Sequence, residues 1–248
     1  MQKKSNIKIG DKVFTQVVNW VQGNIVPVGI KLRMKRRRKN VGPPPPELQE
    51  KIVDLGLDPS RIWWGPMTLF PKKVNFLIDE IETSPPRVML EVGSGSSTLL
   101  FAALAERYDF RVLSLENHQS SINYVRSILK GSPGEDRVIL KKSDFIKRRY
   151  PDGAPYRWYD IDLGIMDAKF DFVFIDGPMG LLVGRNGAIP EILPFLASEH
   201  RIYLDDVQRP HEQDCLHEWK KHYTNLEVET FKDCPGIGRI KVPLQQAF

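Results

Sequence analysis

Residues 87–98 read RVMLEVGSGSST, an apolar run that leads into a glycine-rich turn. The first six residues have the composition of a buried strand, and Ser97–Tyr108 begins with hydroxyl side chains and continues with helix-forming residues. Gly93 and Gly95 allow a tight turn and a close approach of the main chain to a ligand. Thr98 stands where a dinucleotide fingerprint has a third glycine, and such a hydroxyl-rich turn suits a small carboxylate. The stretch predicts a strand, a ligand-binding turn and a helix.

Strands and helices alternate through the rest of the chain. Such alternation specifies a mostly parallel sheet with helices on both faces, so the predicted fold class is α/β with a doubly wound sheet. Ligands of these sheets bind at the carboxyl ends of the strands. The further predicted strands are Arg111–Glu116, Arg137–Lys142, Phe170–Ile175 and Arg201–Leu204, the helices are Gln119–Lys130, Ala188–Ala197 and Pro210–Tyr223, and a closing hairpin pairs Leu226–Phe231 with Ile237–Val242.

Acidic residues lie at or near the ends of three successive predicted strands. Glu91 belongs to the first strand, Glu116 ends the second and Asp144 follows the third. A carboxylate at the tip of the second strand is well placed to accept hydrogen bonds from both hydroxyls of a ribose. Asp144 offers an acceptor for an adenine amino group, and Phe145 offers a ring for the face of the base. Each acid alone is compatible with a solvated strand end, but three in succession favour a nucleoside site.

With these motifs, the chain resembles class I S-adenosylmethionine-dependent methyltransferases over about residues 60–245. The resemblance implies a seven-stranded, mostly parallel sheet with a terminal antiparallel strand, and it implies S-adenosylmethionine as the cofactor. It places Gly93, Ser94 and Gly95 along the methionine part, Ser97 or Thr98 at the carboxylate, Glu116 at the ribose, Asp144 with Phe145 at the adenine, and Glu91, Asn117 and Asp176 in the same cofactor site.

A second group of acids follows the fourth and fifth predicted strands: Asp176, then Asp205 and Asp206. Carboxylates that converge repel one another unless a positive charge lies between them. An oxygen site for Mg²⁺ or Mn²⁺ would supply that charge and would acidify an acceptor hydroxyl. In the alternative interpretation, Asp176 contacts the amino end of the cofactor while Asp205 and Asp206 cap the next helix.

This acidic group is similar to the metal site of catechol-type O-methyltransferases, with two departures. Asp206 stands where those enzymes have Asn, and Met179 stands where they have a lysine base. A base is therefore sought among His118, His211 and the aspartates. The candidate catalytic residues are Asp176, Asp205 and His211, and the candidate metal ligands are Asp176, Asp205 and Asp206.

Two further stretches each have two interpretations. Arg185 either holds an anionic or sugar acceptor or, together with Arg209, neutralises the nearby aspartates. Residues Pro151–Lys169 are aromatic and poorly periodic, so they form either a lid over the acceptor or an insertion packed on the surface.

Charge is unevenly distributed along the 248 residues. Residues 1–40 carry eleven Lys or Arg and one Asp, whereas the rest of the chain is net acidic. Pro43–Pro46 favours a stiff, extended spacer. We therefore divide the chain into a basic arm with a proline-rich linker, residues 1–46, and a methyltransferase-like domain, residues 47–248. Within the arm, helical spacing favours a short amphipathic helix that packs on the domain or on a membrane surface, and its apolar residues are Val13, Phe14, Val17, Val18 and Val21.

Composition limits the compartment and the partners. A content of 41% hydrophobic and 27% charged residues is typical of a soluble globular protein, and two cysteines exclude a disulfide framework. The basic residues 1–40 suit RNA or an anionic membrane surface. We therefore expect a cytoplasmic protein, or one that is peripheral to a membrane.

The predicted function is methyl transfer from S-adenosylmethionine to an acceptor, an oxygen of a small molecule or glycan. The alternatives are an RNA or protein methyltransferase that uses the basic arm, a non-catalytic cofactor-binding scaffold, and an aminopropyl transferase of the same fold. Many base N-methyltransferases carry an Asn/Asp-Pro-Pro-Tyr tetrapeptide, whereas the fourth strand here leads into Asp-Gly-Pro-Met at residues 176–179. Together with the net acidic domain, this difference favours a small acceptor.

Overall fold

A seven-stranded sheet forms the centre of the protein. The computed structural model describes residues 44–62, 64, 68–178 and 183–243, together with Gln16. The strands are β1 (Val88–Val92), β2 (Arg111–Glu116), β3 (Val138–Lys142), β4 (Phe145–Arg149), β5 (Pro155–Tyr159), β6 (Phe170–Ile175), β7 (Leu196–Asp205), β8 (Glu227–Thr230) and β9 (Ile237–Lys241). The large sheet has the order β3-β2-β1-β6-β7-β9-β8. Its first five strands are parallel, and β9 runs antiparallel to both neighbours, which confirms the predicted fold class.

Helices cover both faces of this sheet, each face with its own apolar core. The helices are α1 (Pro46–Asp54), α2 (Pro71–Thr83), α3 (Ser96–Tyr108), α4 (Gln119–Leu129), α5 (Ala188–Ile192) and α6 (Pro210–His222). Helices α1 to α4 contribute to the core on one face, which includes Met89 and Phe174. Helices α5 and α6 contribute to the other core, which includes Leu90 and Ile175. Because successive residues of a strand point to opposite faces, a doubly covered strand is apolar along its whole length.

The order of the strands reverses between β1 and β6. The chain passes from β1 outward through β2 and β3, and the later strands β6 and β7 lie on the opposite side of β1. Such a reversal leaves a crevice at the carboxyl ends of the two central strands, where ligands of this architecture bind. The fold therefore brings the loops after β1, β2, β6 and β7 to one edge of the sheet.

Two predicted elements differ from those in the structure. The predicted helix Ala188–Ala197 is wrong in its second half, because α5 ends at Ile192 and a 3₁₀ turn follows over Leu193–Phe195. Pro194 lies in that turn and has no N–H to continue a helix. Strand β7 then begins at Leu196, well before the predicted start at Arg201, and its pairing with β6 shifts register along the way.

The stretch Pro151–Lys169 contains part of a β-hairpin that the sequence analysis did not predict. Strand β5 lies within this stretch and pairs antiparallel with β4 in a separate two-stranded sheet. Trp158 and Tyr159 of β5 are buried in the core beneath α5 and α6. The stretch is therefore a packed insertion, and these aromatic side chains contribute to the core.

Helix α1 begins at the end of the proline run, and the division of the chain after residue 46 stays a prediction. Pro45 is extended, with φ −57° and ψ 152°, and Pro46 is the first residue of α1, a position at which its missing N–H costs nothing. Gln49 Nε2 donates to the carbonyl of Pro44 at 2.7 Å, at the start of α1. The predicted arm helix around Val13–Val21 lies outside the described residues. Among those that are described, no helix has the length and apolar character needed to span a membrane.

Candidate active site

Two glycines bring the loops after β1 and β6 into contact. Gly93 has φ +96°, a conformation that favours glycine, and the N–H groups of Asp176 and Gly177 donate to the carbonyl of Val92. A Cβ on Gly93 would lie 2.8 Å from the Gly177 nitrogen, and one on Gly177 would lie 2.8 Å from the Gly93 Cα. At Gly95, by contrast, the nearest atom to an added Cβ is 3.9 Å away. The turn is therefore closed on its β6 side, whereas an added Cβ at Gly95 would make only an ordinary van der Waals contact, with Ser97 Oγ.

Glu91 is fully buried behind this turn and holds it together. Its carboxylate accepts hydrogen bonds from the hydroxyls of Ser97 at 2.6 Å, Thr98 at 2.7 Å and Ser114 at 2.5 Å. Burial raises the pKa of Glu91 to about 7, although the three hydroxyls act in the opposite direction. The hydroxyls of Ser97 and Thr98, expected at a ligand carboxylate, donate instead to Glu91 in this structure.

Glu116 lies at the tip of β2. It follows Leu115, whose carbonyl accepts a hydrogen bond from the Gly93 N–H. Its Oε1 accepts from the main-chain N–H groups of Asn117 at 2.8 Å and His118 at 2.7 Å. Burial raises the pKa of Glu116, and these amides partly offset that effect. The main chain therefore fixes the orientation of this carboxylate next to the glycine turn, as an acceptor for ribose hydroxyls requires.

The two candidate residues after β3, Asp144 and Phe145, differ in exposure. Asp144 is exposed and pairs with Lys142 at 3.1 Å. Phe145 has no exposed surface, because it begins β4 and packs against Tyr159 with the ring centroids 5.0 Å apart. The ring of Phe145 therefore presents no open face to a base in this structure, contrary to the expectation from the sequence. Asp144 stays a predicted adenine contact.

The three aspartates after β6 and β7 do come together. Asp176, Asp205 and Asp206 each offer an oxygen atom within 4.8 Å of the others. The ammonium of Lys73, from the first turn of α2, lies 2.5 Å from Asp205 Oδ1 and 3.0 Å from Asp206 Oδ1. Burial alone would lower the pKa of Lys73, but the two carboxylates raise it overall. Burial and neighbouring carboxylates raise the pKa values of Asp176 and Asp205.

Arg185 ties the tips of β6 and β7 together from inside the protein. Its guanidinium donates to the carbonyls of Asp205 and Asp176, each at 2.7 Å, and lies 3.2 Å from Asp176 Oδ1. Its Nε lies 3.5 Å from the buried Glu212 of α6. Because Arg185 is 3% exposed and its terminal nitrogens are taken by β6 and β7, it neutralises acids rather than holding an acceptor, although its Nε has no hydrogen-bond partner among the described residues. Arg209 likewise pairs with Asp206 Oδ2 at 2.7 Å.

This arrangement does not fit a divalent metal ion. Carboxylate oxygens are suitable ligands for Mg²⁺ or Mn²⁺. Here, however, each of the three carboxylates already contacts a Lys or Arg cation, and both oxygens of Asp206 do so. The metal interpretation of Asp176, Asp205 and Asp206 stays a prediction that these contacts do not favour. His211 is exposed at the start of α6, with no hydrogen bond or ion pair to this cluster among the described residues.

The sequence analysis missed Lys73, Ser114 and Glu212. Lys73 lies 132 residues before Asp205, in a helix that carries no motif, so only the tertiary fold connects them. Ser114 could have been identified from the sequence, because it is the polar residue in the middle of the apolar strand β2 and a buried polar residue needs a polar partner. Met179, which stands where catechol-type O-methyltransferases have a lysine base, lies outside the described residues.

A small apolar cleft adjoins the start of α3 on the side of α2. Leu69, Val74 and Leu100 line it, with Ser97 and Trp64 at its margin. The indole Nε1 of Trp64 is buried without a hydrogen-bond partner within the described structure. A buried donor of this kind points to a polar group that the described residues do not supply.

Comparisons with solved structures agree with this architecture. No protein-family model matches the chain, and no curated protein matches its sequence. The methyltransferase PaMTH1 of Podospora anserina, solved with S-adenosylhomocysteine bound, is 18% identical with a TM-score of 0.54, over 88% of this chain and 96% of that one. The O-methyltransferase of Bacillus cereus, in complex with S-adenosylhomocysteine, is 17% identical with a TM-score of 0.50, over 85% and 97%. The protein therefore has the fold of class I S-adenosylmethionine-dependent methyltransferases.

Proposed function

We propose that this protein transfers a methyl group from S-adenosylmethionine to an oxygen of a small-molecule acceptor. The observation that carries the proposal is the Glu116 carboxylate, which two main-chain amides hold beside the Gly93 turn at the reversal of the sheet. The two solved structures described above are a methyltransferase and an O-methyltransferase, each with S-adenosylhomocysteine bound, and both share this architecture.

The residues of the chain supply orientation and a proton acceptor. When bound, S-adenosylmethionine supplies an electrophilic methyl group. The glycine turn at Gly93–Gly95 and the Glu116 carboxylate are the groups that would hold it, with Glu116 as the acceptor for its ribose hydroxyls. Methyl transfer needs an in-line approach, so positioning provides much of the rate.

Among the acids of the site, Asp176 is the best placed to take the proton of an acceptor hydroxyl. Its side chain is 27% exposed and contacts Arg185 through Oδ1, whereas that of Asp205 is 4% exposed and pairs with Lys73. Burial raises the pKa of Asp176, which makes its carboxylate a stronger base than an ordinary one. Asp205 and His211 stay predicted catalytic residues with weaker support.

Replacing Glu116 with Ala should weaken the binding of S-adenosylhomocysteine by about 1.5–3 kcal/mol, or roughly 10-fold to 150-fold, because a charged hydrogen-bond partner is lost. Isothermal titration calorimetry measures the change directly. The control is Glu106→Ala, which alters an exposed acid on α3 and should bind like wild type. A folded Glu116→Ala protein with wild-type affinity would remove the main support for this function. Release of S-adenosylhomocysteine, measured across a panel of hydroxyl compounds, then separates an enzyme from a cofactor-binding scaffold.

Deleting residues 1–40 should leave the affinity for S-adenosylhomocysteine unchanged, because every proposed cofactor contact lies beyond residue 90. The deletion keeps Pro44 and its contact with Gln49. The same deletion should reduce binding to phosphatidylserine vesicles or to single-stranded RNA, since it removes eleven basic residues. Loss of cofactor binding would show instead that the arm is an integral part of the domain.

A further inference from the structure

We propose that the Lys73 ammonium takes the place of a divalent cation between Asp205 and Asp206, and that the acceptor end of this site therefore works without metal. In this role Lys73 is a positioning residue, which fixes the two carboxylates beside Asp176. The inference deepens the proposed function and rests on it for the identity of the acceptor end. The structural part of the inference, that an ammonium occupies the position of a metal cation, can be tested independently of the proposed function.

The contacts of Lys73 are those of a built-in counter-ion. It is 7% exposed, and its Nζ bridges the two facing oxygens, Asp205 Oδ1 and Asp206 Oδ1. A buried lysine is retained in charged form only where acidic partners surround it, and these two carboxylates meet that condition. Their mutual repulsion is offset by the same contact, without an added ion.

The turn before β9 packs closely against the Lys73 side chain. An added Cβ at Gly236, in the turn before β9, would lie 2.6 Å from the Lys73 Cε. The ring of Phe70 lies 5.7 Å from Nζ, within the range of a cation–π contact. Lys73 is therefore enclosed by the start of α2, the end of β7 and the turn that leads into the terminal hairpin.

A divalent ion cannot share this position with Lys73. Mg²⁺ binds carboxylate oxygens at about 2.1 Å, and an ion between Asp205 Oδ1 and Asp206 Oδ1 would overlap with Nζ, which contacts both. The remaining approaches meet Arg185 at Asp176 and Arg209 at Asp206. A bound dication would lie among three protein cations, and the repulsion would oppose binding.

The test is a Mn²⁺ titration of the full-length chain, followed by the electron paramagnetic resonance signal of the free ion. We expect wild type to bind no Mn²⁺ into the millimolar range. Lys73→Met, whose uncharged side chain is one atom shorter and leaves the position of Nζ vacant, should bind one ion per chain, and adding Asp205→Asn should abolish that binding. Lys73→Arg keeps the charge and should bind none. The control is Lys72→Met, which changes the exposed neighbour on the same helix and should match wild type.

Activity provides a second readout. Wild-type methyl transfer should be unaffected by EDTA, and Lys73→Met should lose at least tenfold in turnover, as a positioning residue predicts, with partial recovery in Lys73→Arg or on addition of Mn²⁺. One tightly bound Mn²⁺ in wild type would overturn the inference, as would a folded Lys73→Met protein that binds none. If Lys73→Met does not fold, the wild-type titration alone decides. Titration of wild type with S-adenosylhomocysteine separates the two proposals. If wild type does not bind this compound, the proposed function is refuted, but the conclusion from the Mn²⁺ titration still holds.

Discussion

Replacing Arg185 with Met should lower the free energy of unfolding by about 3–5 kcal/mol, as measured by urea denaturation. The guanidinium holds the carbonyls of Asp176 and Asp205 and pairs with the carboxylates of Asp176 and Glu212. Methionine fills much of the same volume but leaves these acceptors buried and unpaired. The cost of an uncompensated buried charge is much larger than the loss of a surface pair.

Arg209 is the matched control for this substitution. It also pairs with an aspartate of the cluster, Asp206 at 2.7 Å, but its side chain is 45% exposed. Arg209→Met should therefore cost less than about 1 kcal/mol. Equal losses in the two variants would show that Arg185 contributes through its charge alone and does not clamp β6 to β7.

Glu91 should make the stability of the protein depend on pH. Its pKa in the folded protein is about 7, compared with an ordinary value of 4.5, so the folded state binds more protons than the unfolded state between these values. The stabilisation is complete below the unfolded value and is lost as the pH rises through the folded one. From about pH 4 to about pH 8 wild type should lose about 3 kcal/mol relative to Glu91→Gln, which cannot ionise.

Urea titrations of both proteins across this pH range measure the difference. Glu50→Gln, at an exposed position on α1, is the control and should follow the wild-type curve. A constant difference between wild type and Glu91→Gln would mean that the three hydroxyls around Glu91 hold its charged form in the folded protein. In that case the charged carboxylate, rather than the neutral acid, is the form that supports the glycine turn.

Local patterns were sufficient to predict the sheet and the position of several candidate site residues at its edge. The strands β1, β2 and β6 are buried on both faces, so they read as continuous apolar runs, and the residues that follow them mark the edge of the sheet. Gly93, Glu116 and Asp176 could therefore be assigned from neighbouring residues alone. The same reasoning failed at Phe145, because the hairpin that buries its ring is formed by a stretch with no clear periodicity.

The cluster of Asp176, Asp205, Asp206 and Lys73, which we propose lies at the acceptor end of the site, could be predicted only in part. The three aspartates were found because each follows a predicted strand, and parallel strands end at one edge. The cation between them was not found, because a lysine at the start of an N-terminal helix has no feature that distinguishes it from an exposed one. Lys72 and Lys73 are adjacent in sequence, and only the packing of α2 determines which of the two is buried.

The long chain separation between Lys73 and Asp205 has a consequence for how the two halves of the site form. Glu91, Ser97, Ser114 and Glu116 are close in sequence, so the loops at the cofactor end close at little entropic cost. The other end needs α2 and β7 to meet across 132 residues. Because closing so long a loop costs more entropy, we expect this contact to form after those at the cofactor end. A ligand that binds the half formed first would favour completion of the other half by mass action, so S-adenosylmethionine, if it binds as proposed above, would also promote folding of the chain.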